Sequence, residues 1–135
     1  MEVRQLMSRD VKTVGPGESI RDAAELMRVH DIGFLPVTKQ ERVVGAVTDR
    51  DLVVRALARG LGPDTPVSAV MTEDVVYCFE DDTPLEAATL MEEEGVRRLL
   101  VLNGKMALQG VLAIEDLAGL PEAAPEIAES LSNLS

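Results

Sequence analysis

An α/β fold of the α+β kind, made of two β-α-β-β-α repeats packed sheet to sheet with pseudo-two-fold symmetry, is what this 135-residue sequence predicts. Three observations carry that expectation. The chain matches itself, with residues from 3 onward lying over residues from 67 onward. Each half alternates short β-rich runs with helical stretches opened by Ser or Thr. The chain is 46 % apolar but holds only one Tyr, two Phe and no Trp, so Val, Leu, Ala and Met must fill the interior.

The repeat is explicit in the residues. "VRQLMSRDV" (3–11) aligns with "VSAVMTEDV" (67–75), and "SIRDAAELM" (19–27) with "TPLEAATLM" (83–91). "FLPV" (34–37) then meets "RLLV" (98–101). After one extra residue in the second copy, "VVGAVTDRDL" (43–52) meets "LQGVLAIEDL" (108–117). Within each copy a short apolar segment ends at Met7 or Met71, two core positions. An extended stretch follows, Val11 to Val14 or Val75 to Phe79. A helix comes next, from Ser19 to about His30 and from Thr83 to about Glu94, with Ser19 and Thr83 as N-caps and an acidic residue in the first turn. His30, the only histidine, falls at the end of the first helix, where a cation suits the dipole.

Two β-runs follow in each copy, Phe34 to Thr38 with Val43 to Val47, and Arg98 to Leu102 with Leu108 to Leu112. The polar turns "KQER" and "NGKM" join them, and Pro36 fixes a strand entry. A second helix starts near Asp49 and near Ile114. The expected division is repeat 1 over 1–60, a linker over 61–66 within the Gly- and Pro-rich "RGLGPDTP", repeat 2 over 67–119, and a tail over 120–135 that carries Glu but neither Lys nor Arg. One copy alone would bury only a marginal core, so the two are expected to form one folding unit.

Charge and composition narrow the function. A net charge of −11 repels nucleic-acid backbones, so no nucleic-acid partner is expected, and any anionic ligand needs a local cluster of Arg or Lys. The single cysteine, Cys78, rules out an intramolecular disulfide and a Cys-based metal cage, in keeping with a cytoplasmic location. No apolar run reaches the length of a membrane span, and no membrane partner is expected. Asp81-Asp82 and Glu92 to Glu94 are carboxylates of loops and exposed helix faces, which are ordinarily solvated, so no metal site is expected. No Ser/His or Cys/His constellation and no P-loop is present, so no catalytic residues are assigned and an enzyme is not expected.

"GAVTDRD" (45–51) is the stretch where local chemistry concentrates. Thr48 followed three residues later by Asp51 is a near match to the capping box, and that alone explains a strand running into a helix. The same geometry also suits a ligand. A helix start offers backbone N–H groups to a phosphate, the Thr48 hydroxyl both donates and accepts, and the Asp51 carboxylate can accept from two ribose hydroxyls. In the second copy Gly110 and Asp116 are retained, but Ala113 replaces the hydroxyl residue.

Met7 and Met71, the "DAAELM" and "EAATLM" helices, "IGFLPV" and "VRRLLV", and above all "GAVTDRD" and "GVLAIED", make the chain resemble a tandem pair of CBS domains, the modules named from cystathionine β-synthase. The resemblance spans about Val3 to Leu117 and is closest to small free-standing bacterial CBS-pair proteins. It implies a regulatory module that binds an adenosine-containing nucleotide, AMP, ADP, ATP or S-adenosylmethionine, as ligand, with no cofactor required. In that family pattern Gly45, Thr48 and Asp51 match in full, while Ala113 departs from it and implies a second cleft, around Asp116, that is weaker or empty. The resemblance also implies clefts built across the repeats, with Arg97 and Arg98 pairing phosphate opposite Thr48 and Asp51, and Val76, Tyr77, Cys78 and Val96 lining the adenine. A homodimer associated through its helices and an unknown protein partner are implied as well. The alternative is a ligand-independent interaction and dimerisation module.

Overall fold

The hairpin of each repeat shows first how the sequence is used. In the computed structural model, which describes residues 1–118, β1 (Phe34–Lys39) pairs antiparallel with β2 (Arg42–Thr48). Both strands are apolar at their centres, and Leu35, Val37 and Val47 are fully buried. The turn places Gln40 and Glu41 at φ 53° and 70°, the left-handed backbone that a two-residue hairpin connection demands.

Ahead of the hairpin, α1 (Ile20–His30) lays Ala23 and Met27 on the same core. Ser19 caps it by accepting from the Asp22 N–H at 3.1 Å. Its next orphan donors are met by the linker: the Ile20 and Arg21 N–H groups donate to the carbonyls of Thr65 (2.9 Å) and Pro63 (3.2 Å). "GPDTP" is therefore a fitted cap as well as a connection. His30 stands in the last turn, and Asp31, at φ 53°, ends the helix in the left-handed conformation.

After β2 the chain turns through α2 (Asp49–Asp51), one π turn (Leu52–Ala56) and a 3₁₀ turn (Leu57–Arg59) closed by Gly60.

The second repeat repeats the plan. β3 (Tyr77–Phe79) runs parallel to β4 (Arg98–Leu102), which pairs antiparallel with β5 (Leu108–Ala113). α3 (Pro84–Glu94) begins with Pro84 after a complete capping box between Thr83 and Glu86, and α4 (Ile114–Ala118) follows β5. The tail over 120–135 lies outside the described residues.

One difference between the copies has a local cause. In the second copy the Leu100 N–H donates to the Val76 carbonyl at 3.4 Å, and a third strand forms. At the matching position of the first copy stands Pro36, which has no N–H, and the expected extended stretch over Val11 to Val14 contributes only the bridge of Val14 to Val37. In both hairpins the register slips at the same place, between Val37 and Thr38 and between Val101 and Leu102.

The chain resolves into two compact units, Lys12–Val75, and Met1–Val11 together with the chain from Val76 onward. Each unit therefore takes the leading segment of the other repeat. In the first unit the 3₁₀ turn Val67–Ala69 buries Val67 and Val70 among Val14, Leu35 and Val47. In the second, Val3 and Met7 join Cys78, Met91, Leu99 and Leu112.

Candidate functional site

Both motif glycines answer to these leading segments. Thr72 and Ala46 exchange backbone hydrogen bonds at 2.8 and 2.9 Å, which brings the chain so near Gly45 that a Cβ there would stand 2.8 Å from the Thr72 carbonyl oxygen and from Met71 Sδ. Ser8 and Val111 do the same in the other unit, and a Cβ on Gly110 would meet the Ser8 carbonyl oxygen at 2.5 Å. Glycine is required at 45 and 110 by close backbone approach, and the methionines that end the leading segments pack over it.

From Gly45 the strand runs to Thr48, which is half-buried. The capping box is complete: Thr48 Oγ1 accepts from the Asp51 N–H at 3.1 Å, and Asp51 Oδ2 accepts from the Thr48 N–H at 3.0 Å. The expectation that this helix start offers free N–H groups to a phosphate is overturned. The Asp49 N–H donates to the Gly33 carbonyl at 3.0 Å, the Arg50 N–H to Asp49 Oδ1 at 2.8 Å, and the Asp51 N–H to Thr48. The local charge is also acidic, with Asp49 and Asp51 in the first turn.

What stays open at the site is side-chain chemistry. A hydroxyl that accepts one N–H keeps its own proton and a second lone pair. An ionised carboxylate has about four lone-pair positions, of which Thr48 uses one. Asp51 keeps 14 % of its side chain exposed, and Arg55 Nε lies 3.7 Å from its other oxygen, Oδ1. A half-buried carboxylate with spare acceptor positions and a hydroxyl beside it suits a neutral group that donates two hydrogen bonds, such as a vicinal diol.

The second copy keeps half of this device. Asp116 Oδ2 accepts from the Ala113 N–H at 2.8 Å, and Ala113 has no side-chain oxygen to return the bond. The neighbouring residues differ too. Asp49 is exposed and leans against Gly33, where a Cβ would fall 2.6 Å from its carboxylate, while the corresponding Ile114 is buried and Arg97 takes the place of Gly33.

Arg97 and Arg98 are exposed. The Arg97 carbonyl accepts from the Ile114 N–H at 2.9 Å, and Arg98 heads β4 in register with Ala113. Tyr77 is 38 % exposed, and its ring meets Phe79 edge to face at 5.7 Å. Cys78, between them, points the other way: its side chain belongs to the core, against which Val76 and Val96 also pack. Burial, with Asp82 adding a like-charge effect, pushes the Cys78 thiol up to about 12. Among the described residues no three His, Cys, Asp or Glu side chains gather to hold a metal, and no helix is long and apolar enough to cross a membrane.

Arg55 gave no signal in the sequence beyond lying four residues after Asp51. Its guanidinium donates to the carbonyls of Val70 (3.4 Å) and Met71 (3.3 Å) as well as facing Asp51.

The chain also matches known proteins in sequence and in fold. The CBS domain family model matches residues 3–57 and again 67–122. The chain is 35 % identical over 133 residues to the CBS domain-containing protein YhcV of Bacillus subtilis, covering 98 % of this chain and 94 % of that one. The crystal structure of Hypoxic Response Protein I with two coordinated zinc ions superposes with a TM-score of 0.80 at 35 % identity, over 90 % of this chain and 100 % of that one. The CBS domain protein PAE2072 from Pyrobaculum aerophilum, solved in complex with AMP, superposes with a TM-score of 0.80 at 26 % identity, over 96 % of this chain and 99 % of that one. With the family model matched twice and a relative 35 % identical over nearly its whole length, this chain belongs to the CBS domain family, whose domain it carries twice.

Proposed function

We propose that this protein is a regulatory module that senses an adenosine-containing ligand, AMP, ADP, ATP or S-adenosylmethionine, through Thr48 and Asp51. The observation that carries the reading is the half-buried Asp51 carboxylate, positioned by its reciprocal bonds with Thr48 and still able to accept from a diol. A similar chain is known in complex with AMP. Because the backbone donors of α2 are already used, recognition at Thr48 and Asp51 is of the ribose rather than of a phosphate. Phosphate pairing is assigned to Arg97 and Arg98, and the apolar wall to Tyr77, Val76 and Val96, on the family resemblance. The second motif, with Asp116 but no hydroxyl at 113, binds more weakly. One ribose and one or two charge-assisted phosphate contacts, set against an association cost of roughly 4–15 kcal/mol, correspond to a dissociation constant of about micromolar or weaker.

Melting temperature followed against a panel of the four ligands tests the reading. At a hundredfold excess over the dissociation constant, stability rises by about 2.7 kcal/mol. No shift with any of them, or the same shift in a Thr48→Ala, Asp51→Ala protein, contradicts it.

A second reading, a module that assembles independently of ligand, is favoured by one observation. Val53, Val54 and Leu57 are 55, 47 and 73 % exposed on the helical stretch after Asp51, beside an apolar groove of about 300 Å³ lined by Ile20, Ala24, Leu52, Ala56 and Leu61. A second copy of the chain, presenting the same residues, would cover them isologously, which makes the protein a homodimer. Light scattering at micromolar concentration, with Leu57→Asp as the disrupting variant, decides this. A dimer indifferent to nucleotide and to Asp51→Ala would favour assembly over sensing.

A further inference from the structure

Asp51 is the point at which the proposed ligand meets the chain, and Arg55 is the side chain behind it. Arg55 reaches two kinds of acceptor at once. Nε faces Asp51 Oδ1 at 3.7 Å, and one terminal nitrogen donates to the carbonyls of Val70 and Met71. Those carbonyls end the Val67–Ala69 turn, and the next residue, Thr72, makes the paired bonds with Ala46 that hold the exchanged segment on β2. Three residues later, beyond Val75, the chain leaves this compact unit for the other.

The intervening backbone has a device for this reach. Between Asp51 and Leu57 the helix widens into a single π turn, with the Leu57 N–H donating to the carbonyls of Leu52 and Val53, and such turns are frequent at functional sites. Ala56 is buried at this turn while Arg55 stays half-exposed, its stem along the protein and its head on the acceptors. A planar guanidinium can serve a carboxylate and two carbonyls together, and an ammonium cannot serve all three in fixed directions. In the second copy the corresponding residue is Leu120, whose side chain has no donor to offer.

We infer that Arg55 is a positioning residue that couples occupancy of Asp51 to the docking of the Val67–Thr72 segment. When a ribose takes further lone pairs of Asp51, it adds to the bond from Thr48 in fixing the carboxylate, Arg55 is held more firmly with it, and the carbonyls of Val70 and Met71 gain a fixed donor. Ligand then tightens the Thr72–Ala46 pairing next to the crossover between units, which gives the module an output. By linkage, the docked segment strengthens ligand binding to the same extent. This rests on the reading of Thr48 and Asp51 as the ligand contacts.

The test measures AMP affinity together with amide hydrogen exchange at Thr72, in the wild-type full chain and in Arg55→Met and Arg55→Lys. In the wild type, AMP slows exchange of the Thr72 N–H several-fold. Arg55→Met weakens AMP about three- to tenfold, the range for one ordinary hydrogen bond, as suits a residue that acts on the ligand only through Asp51, and abolishes the AMP-dependent slowing. Arg55→Lys recovers part of the affinity. A wild type that binds none of AMP, ADP, ATP and S-adenosylmethionine removes the functional reading itself, and the tightest of the four takes the place of AMP where AMP is not the one bound. AMP that binds the wild type without changing Thr72 exchange overturns the coupling, whatever the variants do. So does an Arg55→Met protein that binds AMP and slows Thr72 as the wild type does, or one in which basal Thr72 exchange rises while affinity and slowing are unchanged, the pattern of a merely structural contact.

Discussion

Asp116 Oδ2 accepts the Ala113 N–H at 2.8 Å, and no hydroxyl on residue 113 returns the bond to Asp116, whereas Thr48 and Asp51 satisfy each other in both directions. Ala113→Thr therefore completes the second capping box. Stability rises by about 0.5–1 kcal/mol, the lower part of the range for an N-cap hydroxyl, read as an increase in urea midpoint at constant slope. An unchanged or lowered midpoint would show that the added methyl group costs as much as the bond contributes.

Gly110→Ala sets a Cβ against the Ser8 carbonyl oxygen, a backbone atom held in the two-bond bridge to Val111 that can yield only if the segment lifts. The loss is about 1–3 kcal/mol, as for other forced overpacking. Gly45→Ala, whose Cβ meets the flexible Met71 Sδ as well as the Thr72 carbonyl, falls at the lower end of that range. Thermal melts rank the two; a Gly110→Ala protein as stable as the wild type is the result that rejects the close approach.

Much of this was legible in the residues alone. The self-match located both helices and both hairpins, because the Ser19 and Thr83 caps and the β-branched runs are local signals. The capping box at Thr48 was legible for the same reason. The exchange of the leading segments was not, since pairing of Ser8 with Val111 or of Thr72 with Ala46 is a long-range choice that no local pattern encodes. Only afterwards do Gly45 and Gly110 explain themselves. The sequence also suggested free N–H groups at Asp49 to Asp51, and it was the Gly33 carbonyl and the Asp49 side chain, invisible to spacing, that used them. Pro36 carried a readable signal, a missing donor, whose consequence is the reduction of a third strand to one bridge.

Cys78 is 3 % exposed, and its thiol is pushed up to about 12 from an ordinary 9.0. An acid whose folded pKa is raised favours the native state below the unfolded value and loses that contribution as pH rises from about 9 toward 12. Urea midpoints fall across this window, and Cys78→Ser flattens the fall. At neutral pH a thiol reagent labels Cys78 only as fast as the protein opens; prompt labelling of the native protein would place the thiol outside the core.

Glu86 accepts from the Thr83 N–H, and that bond, with the Thr83 side chain, holds its carboxyl below the usual range. A lowered folded pKa contributes stability above the unfolded value near 4.5, and the contribution is lost as pH falls through the folded one. Glu86→Gln keeps the acceptor but removes the titration, so its stability falls less between pH 5 and 3 than that of the wild type, a comparison at about two pH units below neutral and lower that denaturant melts resolve.

Calorimetric titration of AMP into the wild type and into Asp51→Asn tests the central claim most directly. The account predicts saturable binding to the wild type, with a dissociation constant of about micromolar or weaker, and a loss of about tenfold or more in Asp51→Asn with the melting temperature of the unliganded protein nearly unchanged, since Asn can still accept from Thr48. Equal affinity in the two proteins would contradict it.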